Sequence, residues 1–438
     1  MRNSEENKTS FFLRGFTQSA FLTTLSRISG YIRDVFIAAF LGAGIFSDIF
    51  FISFKLPNLF RRITAEGALT SSFLPIYAKL KSQNSDYVAI KYFKKIIYKV
   101  TLLLILLMIF FQIFMPVVVS VLAPGFIDNR EITNQITTLT RITMIFMPII
   151  SAVALLGVAT NVSGRFWILS FTPIILNSSI ILSCLSISDN LAIKSLPLGI
   201  AIVIGGIFQL IFMIVMIKKY KIFNSKNLEK QLDTKHNESV INSHIKQTWR
   251  RFLPAAFGGG ILQINLLVDT ILASLLGFGS VSYLYFADRI TQLPLGIIGV
   301  ALGTTLLTSL SKASAQNDIK QFSKELIISL KIGLFFSIPA AFVFIFYNDL
   351  LIKVLFERGE FTFNETKQTS VALLVYSLGI PAFIMMKSCQ PAFLATGNTK
   401  TPMYIGFILL ILNIILSFIL MRYINHAGIA LATSIVSW

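Results

Sequence analysis

Long apolar runs alternate with short polar connections along the 438 residues. Runs long enough to cross a bilayer as helices, about 20 residues each, lie at 20–42, 45–78, 100–123, 136–159, 166–187, 195–217, 252–277, 280–311, 326–347, 369–395, 402–421 and 426–438. The pattern predicts an all-α polytopic membrane protein with twelve spans, the chain ending at Trp438 within the twelfth. The second run is too long for one straight helix. Pro57, Asn58 and Gly67 predict a break there, because proline removes a backbone donor and broken helices at membrane depth line cavities.

The pattern also repeats. RDVFIAAFLGAG at 33–44 matches VDTILASLLGFG at 268–279, Pro148 aligns with Pro381, Asn177 with Asn413, and Gly199 with Gly428. The register holds across six spans, and an even number of spans returns the chain to the same side. The copies are therefore parallel repeats, predicted to enclose a site where they meet. This gives an N-terminal six-helix lobe at 1–217, a polar cytoplasmic linker at 218–250 and a C-terminal lobe at 251–438. By the repeat, the second lobe would continue beyond Trp438.

Composition supports the membrane assignment. The chain is 55% hydrophobic, only 13% charged and carries 40 Phe, with a mean hydropathy of +0.75, whereas soluble domains carry about 25% charged residues. The formal charge of +18 is explained by where the cations fall rather than by nucleic-acid binding. Arg2, Lys8, Arg14, the Lys79–Lys99 cluster, Arg165, the Lys218–Arg251 run, Lys312, Lys320, Lys324, Lys331 and Lys400 lie on one side of the predicted topology. The other side holds Arg130, Arg141, Lys194, Lys353, Arg358, Lys367 and Arg422. The positive-inside rule then places the N-terminus in the cytoplasm, and the start of the chain shows no removable signal peptide. The basic surplus is then mostly ordinary topology signal, which outweighs any partner-binding reading, although Lys218–Lys221 could also touch anionic lipid.

Cys184 and Cys389 sit in apolar runs and read as inert core residues, while His236, His244 and His426 fall in connections and read as solvated. No His/Cys cluster has metal-ligand spacing, and no phosphate-loop, HExxH or GxSxG motif is present. The chain is therefore expected not to be an enzyme, with transport running on a gradient or on the membrane potential.

What remains is a set of ionisable residues at predicted membrane depth: Arg27, Arg33, Lys55, Arg61, Arg62, Arg289 and Lys387 against Asp34, Asp48, Glu66, Asp269 and Asp288. Such groups cost about 2.5–3.5 kcal/mol each to insert, so they usually face a cavity. Most lie between Ser26 and Gly67. Cations exceed acids, and guanidinium forks suit phosphate oxygens, so the predicted cargo is a phosphate or diphosphate anion. The bland alternative is that Arg and Asp pair to hold helices together, for example Arg27 with Asp34, seven residues apart on one helical face. A cation-coupled multidrug exporter would call for an acidic cavity, and an enzyme acting on prenyl phosphates for a base or metal ligands.

SRISGYIRD, FLGAGIFSDIFFISFKLPNLFRRITAEGA, LAPGF, YFADRITQLPLGIIGVALGTTLLTSLS and KTP resemble the MurJ (MviN) lipid II flippases of the multidrug/oligosaccharidyl-lipid/polysaccharide exporter superfamily. The resemblance runs from about residue 20 to the end. It implies a bacterial inner-membrane protein of two lobes in a V-shaped, alternating-access arrangement. Its cargo would be lipid II, an undecaprenyl-diphosphate-linked disaccharide-pentapeptide, moved to the outer leaflet for peptidoglycan synthesis; another lipid-linked oligosaccharide is the alternative. It implies substrate-binding roles for Arg27, Arg33, Arg61 and Arg289, and cavity or gate roles for Asp34, Asp48, Glu66, Asp288 and Lys387. Asp269, Asn413 and Thr433 match residues through which some members bind sodium, although Ser417 stands where a further carboxylate would help. Coupling to Na+ or H+ is left open, no cofactor is expected, and the expected partners are lipid II and membrane lipids acting on a monomer. Members have fourteen helices, so the resemblance implies that the end of helix 12 and helices 13 and 14 are not in this chain.

Overall fold

The computed structural model describes residues 2–63, 68–83, 86–188, 190–223, 234–398 and 400–438. Among them the regular structure is helical, with no strand. In chain order the helices are α1 (Arg2–Leu41), α2 (Ile45–Arg61), α3 (Ala68–Gln83), α4 (Asp86–Ile113), α5 (Met115–Leu122), α6 (Arg130–Met144), α7 (Phe146–Val162), α8 (Phe166–Cys184), α9 (Leu196–Lys219), α10 (Thr234–Ser274), α11 (Ser280–Pro294), α12 (Val300–Ala315), α13 (Ile319–Phe346), α14 (Asn348–Phe356), α15 (Phe363–Ser377), α16 (Ile380–Ala395), α17 (Lys400–Ile424) and α18 (His426–Ser437). A π-helical turn, Leu295–Gly299, joins α11 to α12.

The chain forms two compact units. The first comprises Met1–Ile37, Ile52–Ser120 and Arg130–Gln263; the second comprises Ala38–Phe51, Val121–Asn129 and Ile264–Trp438.

In the first unit the α6–α7 stretch, Arg130–Val162, is the centre: 78% of its most apolar window is buried. Helix α9 can pack closely on it because Gly206 faces Phe146, where a Cβ would come within 2.7 Å of the ring. By contrast only 17% of the α4 window is buried, and Leu102, Leu103, Leu106, Ile109 and Phe110 are exposed. A band of this kind is expected of a surface facing hydrocarbon rather than water.

Of the three residues marking the predicted break in the second span, Gly67 lies outside the described residues. Pro57 lies inside α2, which continues to Arg61. Proline cannot donate to the carbonyl four residues earlier, that of Ser53. Here the Thr143 hydroxyl donates to the Ser53 carbonyl instead, at 2.7 Å, so the helix passes through its proline. Pro173 in α8 is handled similarly, with the Thr172 hydroxyl donating to the Leu169 carbonyl at 2.9 Å.

Other expectations are also corrected. Helix α10 begins at Thr234, so the second half of the polar run 218–250 is helical. It docks on α4 through a hydrogen bond between the Tyr92 and Thr248 hydroxyls and an ion pair of Lys91 with Glu238 at 3.5 Å. Cys389 is exposed rather than core, while Cys184 is buried. His426 is buried, not solvated: its Nε2 is 2.9 Å from the Gln368 carbonyl and its ring lies 5.2 Å from that of Tyr283.

By length and composition, six described helical stretches can cross a membrane, or seven if the bent pair α15–α16 counts as one span. The helices that fall short of the test include α2, which carries Asp48, Lys55 and Arg61, and α11, which carries Asp288 and Arg289.

Candidate functional site

In the first unit, α1 carries Arg27 and Arg33 one turn-and-a-half apart. Arg27 is exposed and makes no hydrogen bond or ion pair among the described residues. It does not pair with Asp34, which the seven-residue spacing had suggested. The partner of Asp34 is its neighbour Arg33, whose Nη2 and Nε donate to Oδ1 at 2.6 and 3.0 Å. Adjacent helical residues do not normally face each other. A third group holds this geometry: Arg33 Nη1 donates to Asn177 Oδ1 on α8 at 3.1 Å. The Asn177 amide nitrogen in turn donates to Ser29 Oγ at 2.8 Å and to the Ser26 carbonyl at 3.3 Å. Asp34 is fully buried and the Arg33 side chain is 14% exposed, so one guanidinium is fixed in place by a carboxylate, an amide and two helices.

Helix α2 presents Lys55 and Arg61, and Arg62 follows its end; all three are half-buried. Arg61 Nε donates to Asn58 Oδ1 at 2.9 Å, one helical turn earlier, which orients its fork along α2. Glu66 lies outside the described residues.

In the second unit, Asp48 is 1% exposed and has a different occupation. It accepts the backbone N–H of Gly279 at 2.6 Å, the backbone N–H of Ser282 at 2.8 Å and the Ser282 hydroxyl at 2.6 Å. These donors sit at the start of α11, whose N-cap Gly279 has a φ of 89°. A carboxylate at a helix N-terminus satisfies otherwise orphaned donors and faces the positive end of the dipole. Gly279 is needed for the conformation, and also for space: a Cβ there would lie 2.6 Å from the Ala43 carbonyl. A second acid acts in the same layer. Glu365, in the capping box of α15, accepts the Thr362 N–H at 2.8 Å and also the Ala43 N–H just before α2.

Asp288 and Arg289 lie half-buried on α11. The Gln292 amide donates to Asp288 Oδ2. Arg289 Nη2 donates to the Tyr285 hydroxyl at 2.8 Å, and the Tyr285 ring stacks on Phe51 with centroids 3.8 Å apart. Lys387 on α16 is exposed, with no hydrogen bond or ion pair among the described residues. Its stem runs beside Gly299, where a Cβ would come within 3.2 Å of Lys387 Cγ.

Of the residues suggested for sodium, Asn413 and Thr433 meet: Asn413 Nδ2 donates to Thr433 Oγ1 at 3.1 Å. Asn413 Oδ1 and Ser417 Oγ, one turn apart on α17, are buried without a hydrogen-bond partner. Asp269 is half-buried on α10.

The structure thus gathers Arg33, Asp34 and Asn177 into one cluster, and Asp48, Gly279 and Ser282 into another. Sequence reasoning named both acids but missed three partners, Asn177, Ser282 and Glu365. Asn177 stood out only as a repeat marker, and Glu365 lay in a predicted connection. The usable signals were the TFNE capping-box pattern at 362–365 and the glycine-serine start of α11.

A family model described as "Lipid II flippase MurJ" matches residues 37–438. A probable lipid II flippase MurJ of Rickettsia prowazekii is 36% identical over 422 residues, covering 96% of this chain and 80% of the relative. The lipid II flippase MurJ of Burkholderia cenocepacia is 30% identical, covering 94% and 79%. A solved lipid II flippase MurJ in an inward closed conformation superposes with a TM-score of 0.78 at 30% identity, covering 96% of this chain and 84% of that one. An inward-facing MATE-family multidrug transporter of the MOP superfamily shares the fold, with a TM-score of 0.73 at 12% identity over 96% and 94%. A membrane protein of long apolar helices, with one polar cluster on α1 and α8 and another on α2 and α11, and matched along nearly its whole length by these sequences, belongs to the MurJ lipid II flippase family.

Proposed function

We propose that this protein carries lipid II from the cytoplasmic to the outer leaflet of the bacterial inner membrane, as transport rather than catalysis. The observation that carries the reading is the state of the cations. Arg27 and Lys387 are exposed and have no ion-pair partner among the described residues. Cations left uncompensated at membrane depth are expensive unless an anion passes them.

In this proposal Arg27, Arg33, Arg61 and Arg289 bind the diphosphate. Arg33 is pre-oriented by Asp34 and Asn177, and Arg289 by Tyr285. Asp288, Glu66 and Lys387 exchange partners as the protein alternates between inward and outward states, while Asp48 acts through the start of α11. The working parts are two lobes, 1–217 and 251–438, joined by 218–250, in a monomer whose N-terminus is cytoplasmic. With the interior negative, outward passage of an anionic head group runs downhill, by about 2.3 kcal/mol per charge at 100 mV. The buried, unpartnered oxygens of Asn413 and Ser417 fit an oxygen-ligated Na+ beside Thr433, with Asp269 supplying the charge, as the coupling ion.

The experiment is reconstitution of the chain in vesicles with labelled lipid II, reading its accessibility in each leaflet. Wild-type protein moves the label without changing its chemistry. Arg61→Ala and Arg289→Ala abolish movement while still inserting. Normal movement in both variants would remove the site assignment, and chemical alteration of lipid II would favour an enzyme.

A further inference from the structure

The first unit contains a cavity that the flipping reading does not use. It has a volume of about 280 Å³ and is lined by Lys81, Asp86, Ser163, Arg165, Tyr220 and Lys221. These residues come from the end of α3, the start of α4, the α7–α8 junction and the end of α9. We propose that it is a binding site for a phosphate group, separate from the cations on α1, α2 and α11.

The chemistry of the lining points to an anion. Three cations face one acid, and none of the three is in an ion pair among the described residues. Lys81 Nζ donates to Ser163 Oγ at 2.9 Å, which fixes the ammonium and leaves it two further donors. The Arg165 guanidinium lies 4.2 Å from the centre of the Tyr220 ring. A guanidinium held by its face against a ring keeps its edge, the donor fork, available to phosphate oxygens.

The backbone is shaped to present these groups. Gly164, with a φ of 73°, ends α7 by donating to the Asn161 carbonyl, and Arg165 N–H donates to the Thr160 carbonyl at 2.9 Å. This closure turns Arg165 back toward α9. At the end of α9, Lys221 adopts a φ of 49°, a left-handed conformation that glycine takes at far lower cost. A lysine held there at a helix end, with its side chain on a cationic cavity, matches the tendency of local strain to gather at binding sites.

Two sources could supply the phosphate: the headgroup of an anionic phospholipid, or a soluble phosphate ester. The cavity takes Lys81 from the basic Lys79–Lys99 run and Lys221 from the Lys218–Arg251 run, the end assigned to the cytoplasm by the orientation proposed above. The test uses the purified chain in phosphatidylcholine nanodiscs, titrated with short-chain phosphatidylglycerol and, separately, with inorganic phosphate. Bound phosphatidylglycerol is read by native mass spectrometry and phosphate by phosphorus NMR. Arg165→Gln with Lys221→Gln should weaken binding about tenfold through lost charge-assisted bonds. Lys94→Gln with Lys99→Gln, exposed cations of the same basic region, should change it by less than about twofold. Saturable binding of phosphatidylglycerol alone assigns the headgroup; saturable binding of phosphate assigns the soluble ester. Equal losses in pocket and control variants, or no saturable binding of either probe to the wild type, would overturn the proposal. Should the double variant fail to fold, Arg165→Lys keeps the charge and loses the fork, and must still weaken binding. Flipping of lipid II in phosphatidylcholine vesicles should be unchanged in the pocket variants.

Discussion

Asp34 and Asp48 lie fourteen residues apart in the same charged stretch, and both are essentially inaccessible to solvent, yet they are satisfied in opposite ways. Asp34 is met by a guanidinium and, through it, by the Asn177 amide of α8. Asp48 is met by the backbone and hydroxyl donors at the start of α11. The first arrangement spends a carboxylate on positioning a cation. The second uses a carboxylate to fix the start of a helix that itself carries Asp288 and Arg289. An acid at membrane depth is therefore not evidence of cargo contact until its partner is known.

The comparison can be broken most severely at Asp34. Asp34→Ala leaves the Arg33 charge without its carboxylate and should destabilise the first unit by about 3–5 kcal/mol, measured as loss of thermal stability in nanodiscs. Replacing both partners with apolar residues, Arg33→Met with Asp34→Leu, should recover most of that stability, because a buried ion pair and a well-packed apolar pair are often close in energy. It should nevertheless lose flipping. Asp48→Ala should cost less, about 1–3 kcal/mol, for the unsatisfied donors at the start of α11, and Asp48→Asn less again because an acceptor oxygen remains. The smallest effects are Asn177→Ala and Thr143→Val, each about 1 kcal/mol for a lost hydrogen bond. Asn177→Ala should also lower the flipping rate by loosening Arg33, whereas Thr143→Val should not.

Much of this was legible in the chain itself. The apolar runs set most helix positions because in lipid the backbone must satisfy itself, and the LGAG and LGFG segments each marked a helix junction, where Gly42 and Gly279 take positive φ. The charged residues stood out on α1, α2 and α11 because so few others occur at that depth. Their partners were not legible. Asn177 lies 144 residues from Arg33, and Ser282 lies 234 residues from Asp48, and no local spacing rule reaches across such separations. That α2 runs through Pro57 was hidden for the same reason, since the hydroxyl that meets the Ser53 carbonyl comes from Thr143, 90 residues along the chain from it. The cavity at Arg165 and Lys221 was also hidden, because the sequence shows basic connections but not which of them fold onto one another.

The central claim is that Arg33 is kept for the cargo and not for the fold. It is tested most directly by placing the Arg33→Met, Asp34→Leu variant in vesicles with labelled lipid II and following arrival of the label in the opposite leaflet, alongside its melting temperature. The account predicts a melting temperature near that of the wild type with flipping lost. A variant that is equally stable and flips lipid II at the wild-type rate would contradict it.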